Sequence, residues 1–210
     1  MSEKRQKILA GPFRGATTYL DWRRSKRKVF GVYEHVLNNW MTEKIGKHDT
    51  FFDVGANNGY HTYGFAWAAK KAGHRRPVVV AVEPTVKEQL REPMTWNEYT
   101  GCDIQLVEKL CGTVTDDATI SLPDLLAGHD AGLVKIDIEG AEELLFDECP
   151  ELAENVNFDW CIEIHGDDLI PKLAGVFCDA GRSFLLQELR PLPFIGLEAR
   201  AIHTTWLTTI

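Results

Sequence analysis

Acidic residues punctuate this chain where apolar runs end. Asp53 follows Phe51 and Phe52 in "TFFDV", and Glu83 closes "PVVVAVE". Asp137 and Glu139 fall in "LVKIDIEG", two and four residues after Lys135, while Glu163 and His165 close "VNFDWCIEIHG". Charged groups are costly to bury without a task, so acids at such places mark candidate sites. After Asp53 the chain passes through Gly55, Asn57 and Gly59, a turn of the kind that binds nucleotide-like ligands between a strand and a helix. The turn matches only part of the dinucleotide fingerprint. Asn57 stands where a second glycine would let the backbone approach a pyrophosphate. Asp53 would also repel a pyrophosphate at short range, in a site where screening is poor.

A cationic ligand reverses that sign. S-adenosylmethionine carries an ammonium and a sulfonium and has no phosphate. Asp53 can stabilise its positive end, and the glycines admit its methionine tail. Glu83 is placed to accept from both ribose hydroxyls, a role that would serve NAD equally, so Asp53 makes the distinction. The competing role for Asp53, an N-cap of the following helix, fails because the residue comes several positions too early. His61, just inside that helix, can face the methionine end or simply occupy a helix face.

Methyl transfer from a sulfonium is an in-line displacement that depends mainly on positioning donor and acceptor. A hydroxyl acceptor must also lose its proton, so a nearby base helps. In a strand, Lys135, Asp137 and Glu139 project to one side, as do Glu163 and His165. Asp137 is expected nearest the transferring methyl. His165 is the leading base, because its ordinary pKa lies near operating pH. The plainer alternative is a polar network in which Lys135 neutralises one carboxylate. Asp137, Glu163 and His165 would also suit magnesium or manganese as hard ligands, although a divalent metal is not expected.

These residues need a scaffold that brings strand ends together. From Asp49 onward, short apolar runs alternate with helix-like stretches, including "GYHTYGFAWAAKKAG" ending at Gly73 and "AEELLFDECPEL" stopping before Pro150. "TVKEQLREPMTWNEYTG" reads as a helix interrupted by Pro93, and "TISLPDLLAGHD" as a short helix with Pro123 in its first turn. "DIQLVEKL" is a third strand, and "DDLIPKLAGVFCDAG" a helix capped by Gly181. The C-terminal stretch reads as two strands around a Pro/Gly loop, an antiparallel hairpin. The pattern predicts an α/β fold with an open, mostly parallel sheet and helices on both faces. Ligands in such sheets bind beyond the carboxyl ends of the strands, where the acids are.

The 210 residues suffice for one full core. No apolar run reaches the roughly 18–20 residues of a membrane span, and the start, "MSEKRQKILAGPF", lacks the apolar centre of a signal peptide. Five cysteines without a C-x-x-C pair read as reduced thiols of a cytoplasmic protein. Residues 1–48 hold 11 Lys/Arg against 4 Asp/Glu, whereas the whole chain carries −8. This basic segment, with five cations between Arg23 and Lys28, is a solvated arm or a patch for an anionic partner. The six tryptophans are scattered and do not interleave with basic residues as a nucleic-acid platform would.

With "FFDVGANNGYHT", "VVAVEP", "ISLPDLL" and "LVKIDIEGAE" in this order, the chain resembles the FkbM family of S-adenosylmethionine-dependent methyltransferases. The likeness runs over roughly residues 30 to 166 and includes "GVYEHVLNNWM" and "CIEIHG". It implies a class I methyltransferase (Rossmann-like) fold and an O-methyltransferase acting on a sugar, glycan or other small metabolite. It also implies that Tyr33 and Glu34 help close the donor pocket or pack the amino-terminal helix, and that Glu83 and Pro84 border the ribose. Leu110 and Cys111, in "EKLCGT", fall where the family holds the adenine. On this reading residues 1–48 pack over the site and residues 49–210 form the donor-binding domain. Two alternatives stand beside it: an RNA or nucleotide methyltransferase using the basic segment, and a non-catalytic S-adenosylmethionine-binding module. An NAD-dependent oxidoreductase is disfavoured by Asp53 and the absent middle glycine. The sequence carries no sign of oligomeric state.

Overall fold

The computed structural model of the 210-residue chain describes residues 3–138, 140, 142–190, 192 and 204–210. The chain divides into two compact units, Met1–Glu108 and Lys109–Ile210.

The first unit opens with a hairpin that the sequence pattern does not announce. Strands β1 (Lys4–Lys7) and β2 (Thr17–Leu20) pair antiparallel, with Lys4 opposite Leu20. "KRQK" has no apolar alternation, so the period-2 signal was missing. A single helical turn, α1 (Lys26–Val29), and the longer α2 (Asn38–Lys47) follow. The strand–helix alternation then begins with β3 (Thr50–Val54), α3 (Tyr60–Ala72) and β4 (Val78–Val82). It continues through α4 (Glu88–Arg91) to β5 (Asp103–Val107). These three strands are parallel in the order β3-β4-β5, with Asp53 opposite Ala81 and Val82 opposite Val107.

Every residue of β3 is buried, which is why its sequence reads as a continuous apolar run. Phe51 stacks on Phe65 of α3 with ring centroids 4.7 Å apart. The stretch after Pro84 is not one interrupted helix. It breaks into α4 and two 3-10 turns, Glu92–Thr95 and Asn97–Tyr99. Pro93, with no N–H to donate, sits in the first of those turns, where the loss costs least.

The second unit begins with a short parallel pair, β6 (Leu110–Gly112) and β7 (Thr119–Ser121). Helix α5 (Leu122–Leu126) starts at Ser121, whose hydroxyl accepts from the Asp124 N–H at 3.2 Å, and has Pro123 in its first turn as expected. Then come β8 (Gly132–Ile136), α6 (Glu142–Glu148), the single turn α7 (Glu151–Glu154) and β9 (Phe158–Ile164). Helix α8 (Ile170–Asp179) leads to β10 (Phe184–Glu188) and β11 (Thr205–Thr209). Strands β8 and β9 are parallel, while β11 runs antiparallel to both β9 and β10. The closing hairpin is therefore present; its Pro/Gly loop lies almost wholly outside the described residues.

Phe146, Trp160 and Phe177 form the aromatic centre of this unit, each fully buried. Phe146 lies 5.2 Å from Trp160 and 5.3 Å from Phe177, ring centre to ring centre. Each such side chain contributes about 1.5–3 kcal/mol by leaving water. Together they clamp α6 and α8 to β9 and so fix the acids those elements carry. Mostly parallel strands, interleaved helices and antiparallel C-terminal strands make this an α/β fold of the Rossmann-like class, as the sequence predicts. No described helix is long and apolar enough to cross a membrane.

The link between α1 and α2 turns at Gly31, where φ is +66 and an added Cβ would lie 1.9 Å from the Ala10 carbonyl oxygen. Gly31→Ala should therefore cost about 2–3 kcal/mol in urea unfolding. Gly46→Ala, with open space around it inside α2, should instead stabilise by about 0.5–1 kcal/mol. Equal effects at the two positions would contradict this account of the turn.

Candidate functional site

In the first unit, β3 delivers Asp53 with 1% of its surface exposed. Its Oδ2 accepts from the Thr62 hydroxyl at 2.6 Å, whereas Oδ1 is buried with no hydrogen-bond partner among the described residues. Asp53 thus does not cap the α3 backbone; it is held by a side chain of that helix. A buried acceptor without a partner costs about 1–3 kcal/mol, and more when charged. Thr62 is a site residue that the sequence did not single out, since a threonine in a helix gives no signal of its own.

The turn after β3 is tied down from two sides. The N–H groups of Gly55 and Ala56 both donate to the Val82 carbonyl, at 2.9 and 3.0 Å. Glu83 accepts from Asn57 N–H at 2.9 Å and from Thr85 N–H at 3.1 Å, one bond to each carboxylate oxygen. It is therefore a brace for the turn, a role the sequence reading did not give it. Each oxygen keeps a second acceptor direction, so ribose recognition is still open to it. Asn57 has φ 48, in the left-handed region where asparagine is enriched among non-glycine residues. Gly59 begins α3 at φ 77, and a Cβ there would meet the Tyr63 ring at 2.8 Å. Pro84 follows Glu83 and is exposed.

The other non-glycine residue with positive φ, among the described residues, is Glu34 at φ 49. Such strained positions concentrate at functional sites. The Glu34 carboxylate is 3.2 Å from Nε2 of His61, with both side chains buried. Tyr33 packs edge-on to Tyr60 at 5.5 Å, and Lys28 Nζ lies 4.5 Å over the Tyr33 ring. Lys28 also donates to Asn58 Oδ1 at 3.2 Å. The structure thus brings Tyr33, Glu34 and His61 together. It also folds Lys28, which the sequence placed in a basic patch, back onto the glycine turn. Arg23, Arg24 and Lys26 remain exposed. Beside them Trp22 (46% exposed) and Phe30 (42%) meet at 5.6 Å, so the tryptophan in the basic block does present a ring to solvent.

In the second unit, β8 stops at Ile136 and Asp137 lies just past its end. Lys135 Nζ donates to Asp137 Oδ2 at 3.1 Å, the neutralisation that the plainer reading foresaw. Parallel pairing of Ile136 with Ile162 brings Glu163 alongside. His165 Nε2 is 3.7 Å from Asp137 Oδ1 and 3.7 Å from Glu163 Oε1. Its Nδ1 is 2.7 Å from Oε1 of Glu142, which is fully buried and also accepts from Gly140 N–H at 3.0 Å. Glu142 closes the "KIDIEGAE" motif, yet the sequence reading gave it no role. Its orienting contact with His165 spans 23 positions and leaves no local trace. Glu139, expected among the catalytic acids, lies outside the described residues.

Burial pushes the Asp137 carboxyl up, but the Lys135 ammonium, hydrogen bonds from Glu163 and Lys135, and His165 hold it well below the usual range. Burial likewise opposes ionisation of Glu142, and its bonds to His165 and to backbone N–H groups outweigh that. Leu110, on β6, is 54% exposed, and burial pushes the neighbouring Cys111 thiol up to about 12, so it is neutral. All five cysteines are free thiols; Cys161 is fully buried and Cys111 partly so.

No protein-family model matches the chain, and no curated protein does. Solved structures match its fold. A methyltransferase FkbM from Methylobacillus flagellatus KT is 15% identical, with a TM-score of 0.54 over 76% of this chain and 43% of its own. This chain therefore spans less than half the length of that protein. A putative methyltransferase, yhhF, from Escherichia coli is 15% identical, with a TM-score of 0.52 over 98% of each chain. A human methyltransferase 10 domain containing protein is 12% identical, with a TM-score of 0.50 over 84% of this chain and 78% of its own. At such identities the likeness shows the fold, which is that of the class I S-adenosylmethionine-dependent methyltransferases.

Asp137 and Glu142 both have folded-state pKa values below their unfolded ones. Their stabilisation is complete above the unfolded values, about 4, and is lost as pH falls through the folded values. Unfolding midpoints should therefore drop from pH 6 to pH 3 (roughly the window set by ordinary carboxyl pKa values), and Glu142→Gln should flatten that drop. Parallel pH profiles for wild type and Glu142→Gln would contradict the assignment.

Proposed function

We propose that this protein is an S-adenosylmethionine-dependent methyltransferase that methylates a hydroxyl of a sugar, glycan or other small metabolite. The observation that carries the reading is Asp53 Oδ1, buried at the end of β3 beside a glycine turn and lacking a partner among the described residues. A cationic ligand supplies what that oxygen lacks, and a phosphate would worsen it. In this reading Asp53, Gly55, Asn57 and Gly59 take the methionine end of the donor, with Tyr33, Glu34 and His61 shaping that pocket. Glu83 and Pro84 border the ribose, and Leu110 and Cys111 the adenine.

Asp137 stands nearest the transferring methyl, with Lys135, Glu163 and His165 around it; Glu139 belongs to the same proposed set. The acceptor oxygen forms a bond to the methyl carbon as the carbon–sulfur bond breaks. The bonding pair stays on sulfur, which becomes a neutral thioether. The hydroxyl proton goes to a base, His165 Nε2 in the metal-free protein, with Glu142 holding the ring through Nδ1. The resemblance in sequence favours a hydroxyl acceptor, and the charged cluster is the equipment such an acceptor needs.

A second reading takes an RNA or nucleotide as acceptor. Trp22 and Phe30, exposed amid Arg23, Arg24 and Lys26, favour it, because bases stack on aromatic rings beside cations. Binding of single-stranded RNA that quenches Trp22 fluorescence and weakens steeply with salt would establish that reading. Indifference to RNA leaves the small-molecule acceptor.

Asp53→Asn keeps the shape and removes the charge. Calorimetry should show S-adenosylmethionine bound by the wild type and at least about tenfold more weakly by Asp53→Asn, the loss of a charged hydrogen bond. His165→Ala should spare donor binding and reduce release of S-adenosylhomocysteine over a panel of sugars and glycans by about 10²-fold or more. Unchanged donor affinity in Asp53→Asn would remove the basis of the proposal.

A further inference from the structure

Three carboxyl groups, Asp137, Glu163 and Glu142, converge on one imidazole, His165, and one ammonium, Lys135. Asp137 and Glu163 each place a carboxylate oxygen within 4.8 Å of the other. Two carboxyls that close cannot both be ionised unless a cation or a shared proton lies with them. Lys135 donates to Oδ2 of Asp137, while Oδ1 faces His165.

That side has the makings of a ligand set. Asp137, Glu163 and His165 each offer an atom, and the three atoms lie within 4.8 Å of one another. Nε2 is 3.7 Å from each of the two facing carboxylate oxygens. An ion about 2.2 Å from each ligand would ask adjacent ligands to be about 3.1 Å apart, an inward shift of roughly 0.6 Å, within reach of side-chain rotation. The ring is already fixed for the task. Glu142 receives Nδ1, which leaves Nε2 toward the carboxylates, and a carboxylate behind a ligating histidine is the usual way such a ring is oriented. Glu142 is in turn anchored by the N–H groups of Ile138 and Gly140.

We propose that Asp137, Glu163 and His165 bind a single divalent cation. Two carboxylates and one imidazole suit manganese or magnesium better than a soft metal, and manganese tolerates the imidazole best of the hard ions. The ion's catalytic use rests on the methyltransferase reading. A bound cation acidifies an acceptor hydroxyl that coordinates it. His165 is then a ligand, and the hydroxyl proton leaves to solvent.

Manganese binding can be followed on the intact chain, without donor or acceptor, by loss of the electron paramagnetic resonance signal of the free aquo ion. Wild type should take up one ion per chain. Glu163→Gln and His165→Ala should each weaken uptake at least about tenfold, and Glu142→Gln by about 10- to 100-fold, as expected when the group behind a ligand is lost. Asp53→Asn should bind manganese as the wild type does. Circular dichroism of the same samples confirms that each variant is folded, and a conservative Glu163→Asp should recover part of the affinity. No uptake by wild type at millimolar manganese, or uptake equal in wild type and the ligand variants, would overturn the site. Calorimetry with S-adenosylmethionine on the same protein reads the donor separately. Manganese uptake without donor affinity would retain the ion site and sink the methyltransferase reading, and the reverse pattern would do the opposite.

Discussion

A carboxylate taken out of water must find compensation, and Asp53 has found half of it. Thr62 satisfies one oxygen; the other is enclosed at the end of β3 without a donor among the described residues. Much of the first unit serves to keep that carboxylate in place. The buried strand β3 sets its position, and two bonds to the Val82 carbonyl set the turn that follows. Glu83 holds the turn from the opposite side, with Asn57 in the left-handed conformation its N–H requires. The cost of one unsatisfied charged acceptor, a few kcal/mol, is large against the total stability of a domain. On the proposed reading, a cationic ligand offsets that cost.

The second unit follows the same logic with more groups. Its core of Phe146, Trp160 and Phe177 supplies the burial that lets α6 and β9 hold Glu142 and Glu163 inside. Lys135 pairs with Asp137, and bonds to His165 and to backbone N–H groups hold Glu142 in its ionised form. Apolar packing and charge placement are therefore one design. The aromatic clamp is what allows the acids to stand close enough to act on a proton or an ion.

Much of this was legible in the sequence because burial writes itself into residue type. "TFFDV" and "VVVAV" are strands because every position is enclosed, and Gly73 ends α3 because the chain needs a left-handed residue there. The acids at the strand ends stood out as charges in apolar surroundings. What could not be read was nonlocal or carried by ordinary residues. Thr62, Lys28 and Glu142 matter through partners 9, 30 and 23 positions away, and no local pattern reports such pairings. The hairpin of β1 and β2 was hidden by a charged strand. The helix expected after Pro84 dissolved into short turns around Pro93. Asn57 was read only as an absent glycine, and nothing in the sequence announced its left-handed backbone.

The central claim is that the buried Asp53 carboxylate selects positive charge over phosphate. Calorimetry of the intact protein with S-adenosylmethionine and with NAD, in one buffer at one ionic strength, tests it most directly. The account predicts a measurable binding heat with S-adenosylmethionine and none with NAD. Binding of NAD in preference to S-adenosylmethionine would contradict it.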